Sequence, residues 1–226
     1  GGGGAARPPP CPPAPAPNAM PATRPDLVLF DFDGVIADYA RPRRIAALAA
    51  ACGCEPGRVR RALFEDGLEA AYDAGELGTG DYLRRLGQAL GGDVDASTWI
   101  AARLAGTRVR PAVAEAIRAL AGHAGVAILT NNGSLIEAVI RAAAPGLFPL
   151  LDGRVLASGL LGQRKPAAEA YRRALERLGA EPAATLFVDD LFVNVRGARA
   201  CGLQADTVRD ARSLRRLLRR HGLPVR

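Results

Sequence analysis

The chain contains several short runs of consecutive apolar residues, and each run is followed directly by polar residues. The three clearest runs cover residues 27–30, 126–129 and 185–188. Because they lack the alternation of half-exposed strands, they are typical of strands buried on both faces, as in a parallel sheet. Residues 155–158 and 203–208 give weaker strand signals.

Between these runs the apolar residues recur every three or four positions, which is the period of a helix with one buried face. Such stripes begin at Val113, Ile136 and Tyr171. Ser134 and Glu137 form a capping-box pattern that predicts the start of the second helix. Strand and helix therefore alternate from Val113 onward, which predicts an α/β fold with a Rossmann-like, three-layer, doubly wound parallel sheet.

The stretch 39–108 differs from the rest of the chain. It contains helix-like segments separated by glycine-rich turns and no convincing strand signal. We therefore predict a core formed by residues 25–38 and 109–226, with residues 39–108 inserted as an α-helical cap over the end of the first strand.

The first 24 residues are rich in Gly, Pro and Ala and contain almost no large apolar side chain. Such a segment buries too little surface to offset the entropy of ordering, so we predict a disordered tail. Met20, the single Met, is a candidate initiator at the start of the globular sequence. No apolar run approaches the roughly 18 to 20 residues of a membrane span, and the four cysteines predict reduced thiols and a cytoplasmic location.

Polar side chains follow each of the three main strands. They are Asp31 and Asp33, Thr130 and Asn131, and Asp189 and Asp190. The carboxyl ends of parallel strands meet at one edge of a sheet, where four carboxylates repel one another. A divalent cation relieves that repulsion, and oxygen ligands favour Mg²⁺. The alternative, in which these residues cap the following helices, accounts for one pair more easily than for both.

Four segments resemble, in family order, the motifs of haloacid dehalogenase-like (HAD) hydrolases. They are Asp31-Phe-Asp33-Gly34-Val35, Leu129-Thr130-Asn131, Gly162-Gln-Arg-Lys165-Pro166, and Phe187-Val-Asp189-Asp190 with Asn194. The helical insert after the first motif is similar to that of the subfamily with an α-helical cap.

The resemblance implies a magnesium-dependent phosphomonoester hydrolase. Asp31 would be the nucleophile that forms an aspartyl-phosphate, and Asp33 the general acid and base. The metal would be held by Asp31, the backbone carbonyl of Asp33, Asp190 and the supporting Asp189. Gly34 would let the chain turn beside the phosphate.

The same resemblance assigns the phosphate contacts to Thr130, the amide of Asn131, and Lys165, with Thr130 and Lys165 also in the catalytic set. Lys165 is the one lysine among 30 Lys and Arg residues, and a compact ammonium suits a bridge between carboxylate and phosphoryl oxygens. Asn194 stands where many relatives carry another Asp, so it adds no charge at the metal site.

The substrate class is less sharply indicated. Gly75-Glu76-Leu77-Gly78 and the segment 158–166 resemble sugar-phosphate phosphatases, a branch that includes glucose-1-phosphate phosphatase. A sugar phosphate is therefore favoured over nucleotide monophosphates and phosphoglycolate. Phosphoglucomutases share all four motifs and remain an alternative. Haloacid dehalogenases lack an acid at the position of Asp33, so the presence of Asp33 argues against a dehalogenase.

The remaining alternative function is nucleic-acid binding. The net charge is +7, and arginines crowd the last predicted helix at 209, 212, 215, 216, 219 and 220. Leu214, Leu217 and Leu218 give that helix an apolar side, and no aromatic residues interleave for base stacking. We favour a solvated helix packed through its leucines. The expected partner is a small phosphorylated metabolite, with neither nucleic acid nor membrane.

Overall fold

The computed structural model describes residues 24–225. Its central sheet has five parallel strands in the order β5-β4-β1-β6-β7. A separate antiparallel pair is formed by β2 and β3. The strands are β1 Leu27–Phe30, β2 Ala37–Tyr39, β3 Thr107–Val109, β4 Gly125–Thr130, β5 Val155–Ala157, β6 Thr185–Asp189 and β7 Gln204–Thr207.

Helices account for most of the remaining chain. They are α1 Arg41–Cys52, α2 Pro56–Arg60, α3 Leu68–Asp73, α4 Thr79–Leu90, α5 Ala96–Ala105, α6 Pro111–Arg118, α7 Ile136–Ala143, α8 Ser158–Leu161, α9 Ala168–Leu178, α10 Phe192–Ala200 and α11 Ala211–Arg220. A π-helical turn, Arg61–Glu65, continues α2.

The residues of β1 alternate between two hydrophobic clusters on opposite faces of the sheet. Val28 and Phe30 belong to the cluster that includes residues of α6, α7 and α11, whereas Leu27 and Leu29 belong to the cluster with α9. All four are buried. This is the three-layer α/β arrangement that the unbroken apolar runs predicted, because a strand covered on both faces needs no polar alternation.

Helices α1 to α5, here called the helical insert, lie between β2 and β3. These strands pair antiparallel, with Ala37 opposite Val109 and Tyr39 opposite Thr107. Strand β3 was not predicted, because three residues are too few to show a period. The chain thus leaves and re-enters the core through adjacent strands.

The predicted capping box at the start of α7 is wrong. The helix begins at Ile136, and its N-cap residue, Leu135, makes no side-chain capping bond. The Ser134 hydroxyl instead lies 3.0 Å from Tyr72 Oη and 2.7 Å from Thr79 Oγ1, both in the helical insert. A long-range polar contact has replaced the local one.

The C-terminal helix packs as predicted. Leu214, Leu217 and Leu218 are buried, while Arg215 and Arg220 form ion pairs with Glu115 and Asp206. Across residues 24–225, no helix is both long and apolar enough to cross a bilayer. The predicted disordered tail and Met20 lie outside the described residues, apart from Arg24.

Candidate active site

The carboxyl ends of β1 and β6 bring the acidic residues together. The two strands pair in register, and the Asp31 amide donates to the Val188 carbonyl at 2.8 Å. Asp31, Asp189 and Asp190 each offer a carboxylate oxygen, and these atoms lie within 4.8 Å of one another. Residues more than 150 positions apart therefore share one edge of the sheet.

Lys165 joins two of these carboxylates. Its Nζ lies 3.0 Å from Asp31 Oδ1 and 2.7 Å from Asp189 Oδ2. The Lys165 residue is only 4% exposed, so bulk water hardly screens these pairs. The Asn131 side chain fixes its backbone: Nδ2 donates to the Lys165 carbonyl at 2.9 Å, and Oδ1 accepts from the Lys165 amide at 2.8 Å. Asn131 thereby positions the lysine.

The site carries more negative charge than Lys165 neutralises. Burial raises the pKa of Asp31 to about 7, and the nearby charges of Asp189 and Asp33 add to this rise, although Lys165 opposes it. Burial and the Asp189 charge also raise the pKa of Asp190. Holding ionised carboxylates this close together costs free energy, because they repel one another. A bound divalent cation with a preference for oxygen ligands offsets that repulsion. The donor set therefore fits Mg²⁺.

Asn194 contacts the supporting carboxylate directly. Its Nδ2 donates to both oxygens of Asp189, at 3.1 and 3.0 Å, and the residue is 4% exposed. The Leu191 amide also donates to Asp189 Oδ1. With Lys165 on its other oxygen, Asp189 is completely buried and held by four donor contacts. Its geometry suits a fixed supporting carboxylate, and Asn194 orients it.

Gly34 is required by the closeness of Asp190. It has φ +81°, and a Cβ built at this position would lie 2.3 Å from Asp190 Oδ2. Any larger residue would both strain the backbone and displace the carboxylate. Arg110 stabilises the same turn, since its guanidinium donates to the Gly34 carbonyl at 2.7 Å and to Asp38 Oδ1 at 2.7 Å. Hydrogen bonds and charge from Arg110 hold the pKa of Asp38 below its usual value.

Asp33 lies at the junction with the helical insert. Both of its carboxylate oxygens accept from Arg103 Nη2 on α5, at 2.8 and 2.6 Å. Asn132 Nδ2 donates to Asp33 Oδ2 at 3.2 Å and to Thr130 Oγ1 at 2.8 Å. Asp33 and Thr130 are therefore linked through the Asn132 side-chain amide.

Arg103 itself is held from both sides. The residue is 1% exposed, its guanidinium carbon lies 3.7 Å from the centre of the Tyr39 ring, and Nη1 donates to Thr107 Oγ1 at 2.6 Å. Arg103 and Asn132 were not among the predicted site residues. A helical arginine among 30 basic residues carries no distinguishing local signal.

A cavity of about 730 Å³ connects these groups with the helical insert. Its walls combine Asp31, Lys165 and Asp190 from the core with Glu69 and Asp73 from α3. Trp99 and Tyr72 of the insert are buried, with 1% and 2% of their surface exposed. The cavity is large enough for a small phosphorylated molecule.

Residues 25–202 match the family model of haloacid dehalogenase-like hydrolases. The chain belongs to this family. A phosphatase from Mycobacterium tuberculosis (strain CDC 1551 / Oshkosh) is 38% identical over 96 residues, which is 42% of each chain, so the alignment spans under half of that relative.

Solved structures of HAD enzymes share the fold. An enzyme of the family from Bacteroides thetaiotaomicron superposes with a TM-score of 0.70 at 18% identity, over 85% of this chain and 98% of that one. A further structure of that enzyme holds magnesium and inorganic phosphate; it gives a TM-score of 0.67 at 19% identity, over 80% and 93% of the two chains. At these identities the likeness is one of architecture.

Proposed function

We propose that this HAD-family chain is a magnesium-dependent phosphomonoester hydrolase that works through an aspartyl-phosphate. The observation that carries the proposal is the position of the Lys165 ammonium, 3.0 Å from Asp31 and 2.7 Å from Asp189, with Asp190 in the same carboxylate group. A nucleophilic carboxylate beside a buried cation can approach a phosphate dianion without prohibitive repulsion.

In the first half-reaction an Asp31 oxygen attacks phosphorus, and the bond from phosphorus to the alcohol oxygen breaks. Asp33 gives its proton to that oxygen, so the product leaves as a neutral alcohol. In the second, Asp33 takes a proton from water as the water oxygen attacks the same phosphorus. Inorganic phosphate leaves and the Asp31 carboxylate is regenerated. Asp33 must be released from Arg103 to act in this way.

Mg²⁺ would be held by Asp31, Asp190 and the backbone carbonyl of Asp33, with Asp189 in support. When bound, it supplies positive charge that stabilises the phosphoryl oxygens. The all-oxygen donor set and the raised pKa values of Asp31 and Asp190 support this choice, as does the magnesium in the Bacteroides thetaiotaomicron relative.

Thr130, the Asn131 amide and Lys165 would bind the phosphoryl oxygens, next to the turn at Gly34. Residues 39–108 would act as a cap that gates substrate and water over a core of residues 25–38 and 109–226. We place the reaction in the cytoplasm and favour a sugar phosphate as substrate. The polar cavity wall supports that class over an apolar one.

The test is a panel of phosphorylated metabolites, incubated with purified protein and Mg²⁺. Glucose 1-phosphate, glucose 6-phosphate, nucleotides and phosphoglycolate belong on it, with release of inorganic phosphate as the readout. Asp31→Asn should abolish turnover while preserving the circular dichroism spectrum, and full activity in that variant would falsify the nucleophile assignment. Interconversion of hexose phosphates without phosphate release would indicate the mutase. Phosphate release that survives EDTA would contradict the magnesium requirement.

A further inference from the structure

The acidic residues of the cavity differ in whether they have a cationic partner. Asp31 pairs with Lys165, Asp33 with Arg103, Asp38 with Arg110, and Glu69 with Arg44. Asp190 belongs to the carboxylate group assigned to the metal. Asp73 alone among the described carboxylates of the cavity has neither a cation within 4.0 Å nor a place in that group.

Asp73 is nevertheless fixed in position. It is the last residue of α3 and is 9% exposed. Its backbone carbonyl accepts a hydrogen bond from the Ser158 hydroxyl on α8, and the hydroxyl of Tyr72, one residue earlier, accepts one from the Leu135 amide. Two core segments therefore hold this end of α3 against the loop that follows β4. A side chain on so constrained a backbone presents its acceptor oxygens to the cavity in a defined direction.

Burial and a neighbouring carboxylate favour the protonated form of Asp73. Burial raises the pKa of Asp73 to about 8, and the charge of Glu69 one turn earlier adds to the rise. Arg164 and Arg44 oppose it from a distance. A neutral carboxyl group offers no charge to a phosphate, whereas the Lys165 ammonium in the same cavity does. With the phosphate at Lys165, Asp73 is left to contact the alcohol portion of a substrate.

A donor on the same cavity wall lacks a partner. Arg44 is 1% exposed and lines the cavity. Its Nη1 and Nη2 donate to Glu69 at 2.5 and 3.1 Å, but its buried Nε finds no hydrogen-bond partner within the described part of the chain. Because Nε is buried below the cavity surface, it is not available to a ligand. The carboxyl group of Asp73, which accepts and, when protonated, also donates, complements a hydroxyl group, which does both.

We propose that Asp73 is a specificity-determining residue that accepts a hydrogen bond from a hydroxyl of the alcohol moiety, so that the substrate is the monophosphate of a polyol. This deepens the proposed phosphohydrolase function and rests on it. A substrate hydroxyl would then occupy the acceptor oxygens that Asp73 presents to the cavity, and substrates without hydroxyls would leave those oxygens to water.

The test compares polyol monophosphates (glucose 1-phosphate, glucose 6-phosphate and glycerol 3-phosphate) with p-nitrophenyl phosphate, whose leaving group has no other hydroxyl. Asp73→Ala should raise KM for the polyol phosphates about 10- to 100-fold, as expected for loss of a hydrogen bond to an ionisable group. Both kcat and the hydrolysis of p-nitrophenyl phosphate should be little changed. Asp73→Asn keeps one acceptor oxygen and should restore most of the affinity.

Glu76→Gln is the matched control, since Glu76 is exposed, lies three residues further on and does not line the cavity. It should leave all substrates unaffected. Equal losses on both substrate types in Asp73→Ala would reveal a structural role and overturn the inference. The inference would also be overturned if the wild-type protein hydrolysed p-nitrophenyl phosphate but none of the polyol phosphates. That result would still support the proposed phosphohydrolase function. Hydrolysis of none of them with Mg²⁺ would instead refute the proposed function itself.

Discussion

Replacing Gly34 by alanine tests whether activity depends on the close contact between the backbone at Gly34 and the carboxylate of Asp190. The new Cβ would lie 2.3 Å from Asp190 Oδ2, 2.5 Å from Cγ and 2.9 Å from Oδ1. Ordinary van der Waals contact begins near 3.4 Å, so the carboxylate must retreat by about 1 Å. The left-handed backbone at φ +81° adds a strain of about 1–2 kcal/mol for any residue with a Cβ.

Gly122→Ala provides the control. Gly122 has φ +75°, and a Cβ there meets nothing within 4 Å. It carries the same backbone strain without the clash. Both variants should therefore lose similar free energy of unfolding from strain, measured by urea denaturation.

Only Gly34→Ala should lose activity. A displacement of about 1 Å at a catalytic group can cost on the order of 10²-fold in rate, and we expect a loss of that size in kcat/KM together with a higher Mg²⁺ concentration for half-maximal activity. The assay is phosphate release across a magnesium titration. If Gly34→Ala retained the wild-type magnesium dependence, Asp190 would not be the metal ligand that the carboxylate geometry implies.

Three further perturbations test the charges around the site. Lys165→Met leaves Asp31 and Asp189 without their shared cation; the free energy of unfolding without Mg²⁺ should fall by roughly 3 to 5 kcal/mol, and unchanged urea midpoints would contradict this. Asn194→Asp replaces two hydrogen bonds to Asp189 by repulsion, so Tm should fall in EDTA and recover with Mg²⁺; a variant as stable as wild type in EDTA would remove the orienting role of Asn194. Burial raises the pKa of Asp73 from 3.8 to about 8: between these values the folded protein keeps a proton that the unfolded chain releases, so stability is greatest below the unfolded pKa and falls as pH rises toward 8. Asp73→Asn should flatten that decline between pH 5 and 8 in urea titrations, and parallel wild-type and variant curves would show that Asp73 does not carry it.

The local sequence was enough to predict the main strands of the fold and several residues of the candidate site. Unbroken apolar runs at β1, β4 and β6 are typical of strands covered on both faces, and polar residues at the ends of parallel strands meet at one edge of the sheet. That reasoning, together with the resemblance of four short motifs, was sufficient to select Asp31, Lys165, Asp189 and Asp190, which the structure brings together.

Tertiary structure decided the contacts whose partners are far apart. Arg103 reaches Asp33 across 70 positions, and Ser134 bonds to the insert through Tyr72 and Thr79, which removes the local capping pattern that its sequence favours. Periodicity fixes which face of an element is buried, but it does not specify which distant polar group a buried donor will meet. The unpaired state of Asp73 likewise depends on where every nearby cation lies, and only the folded chain sets those distances.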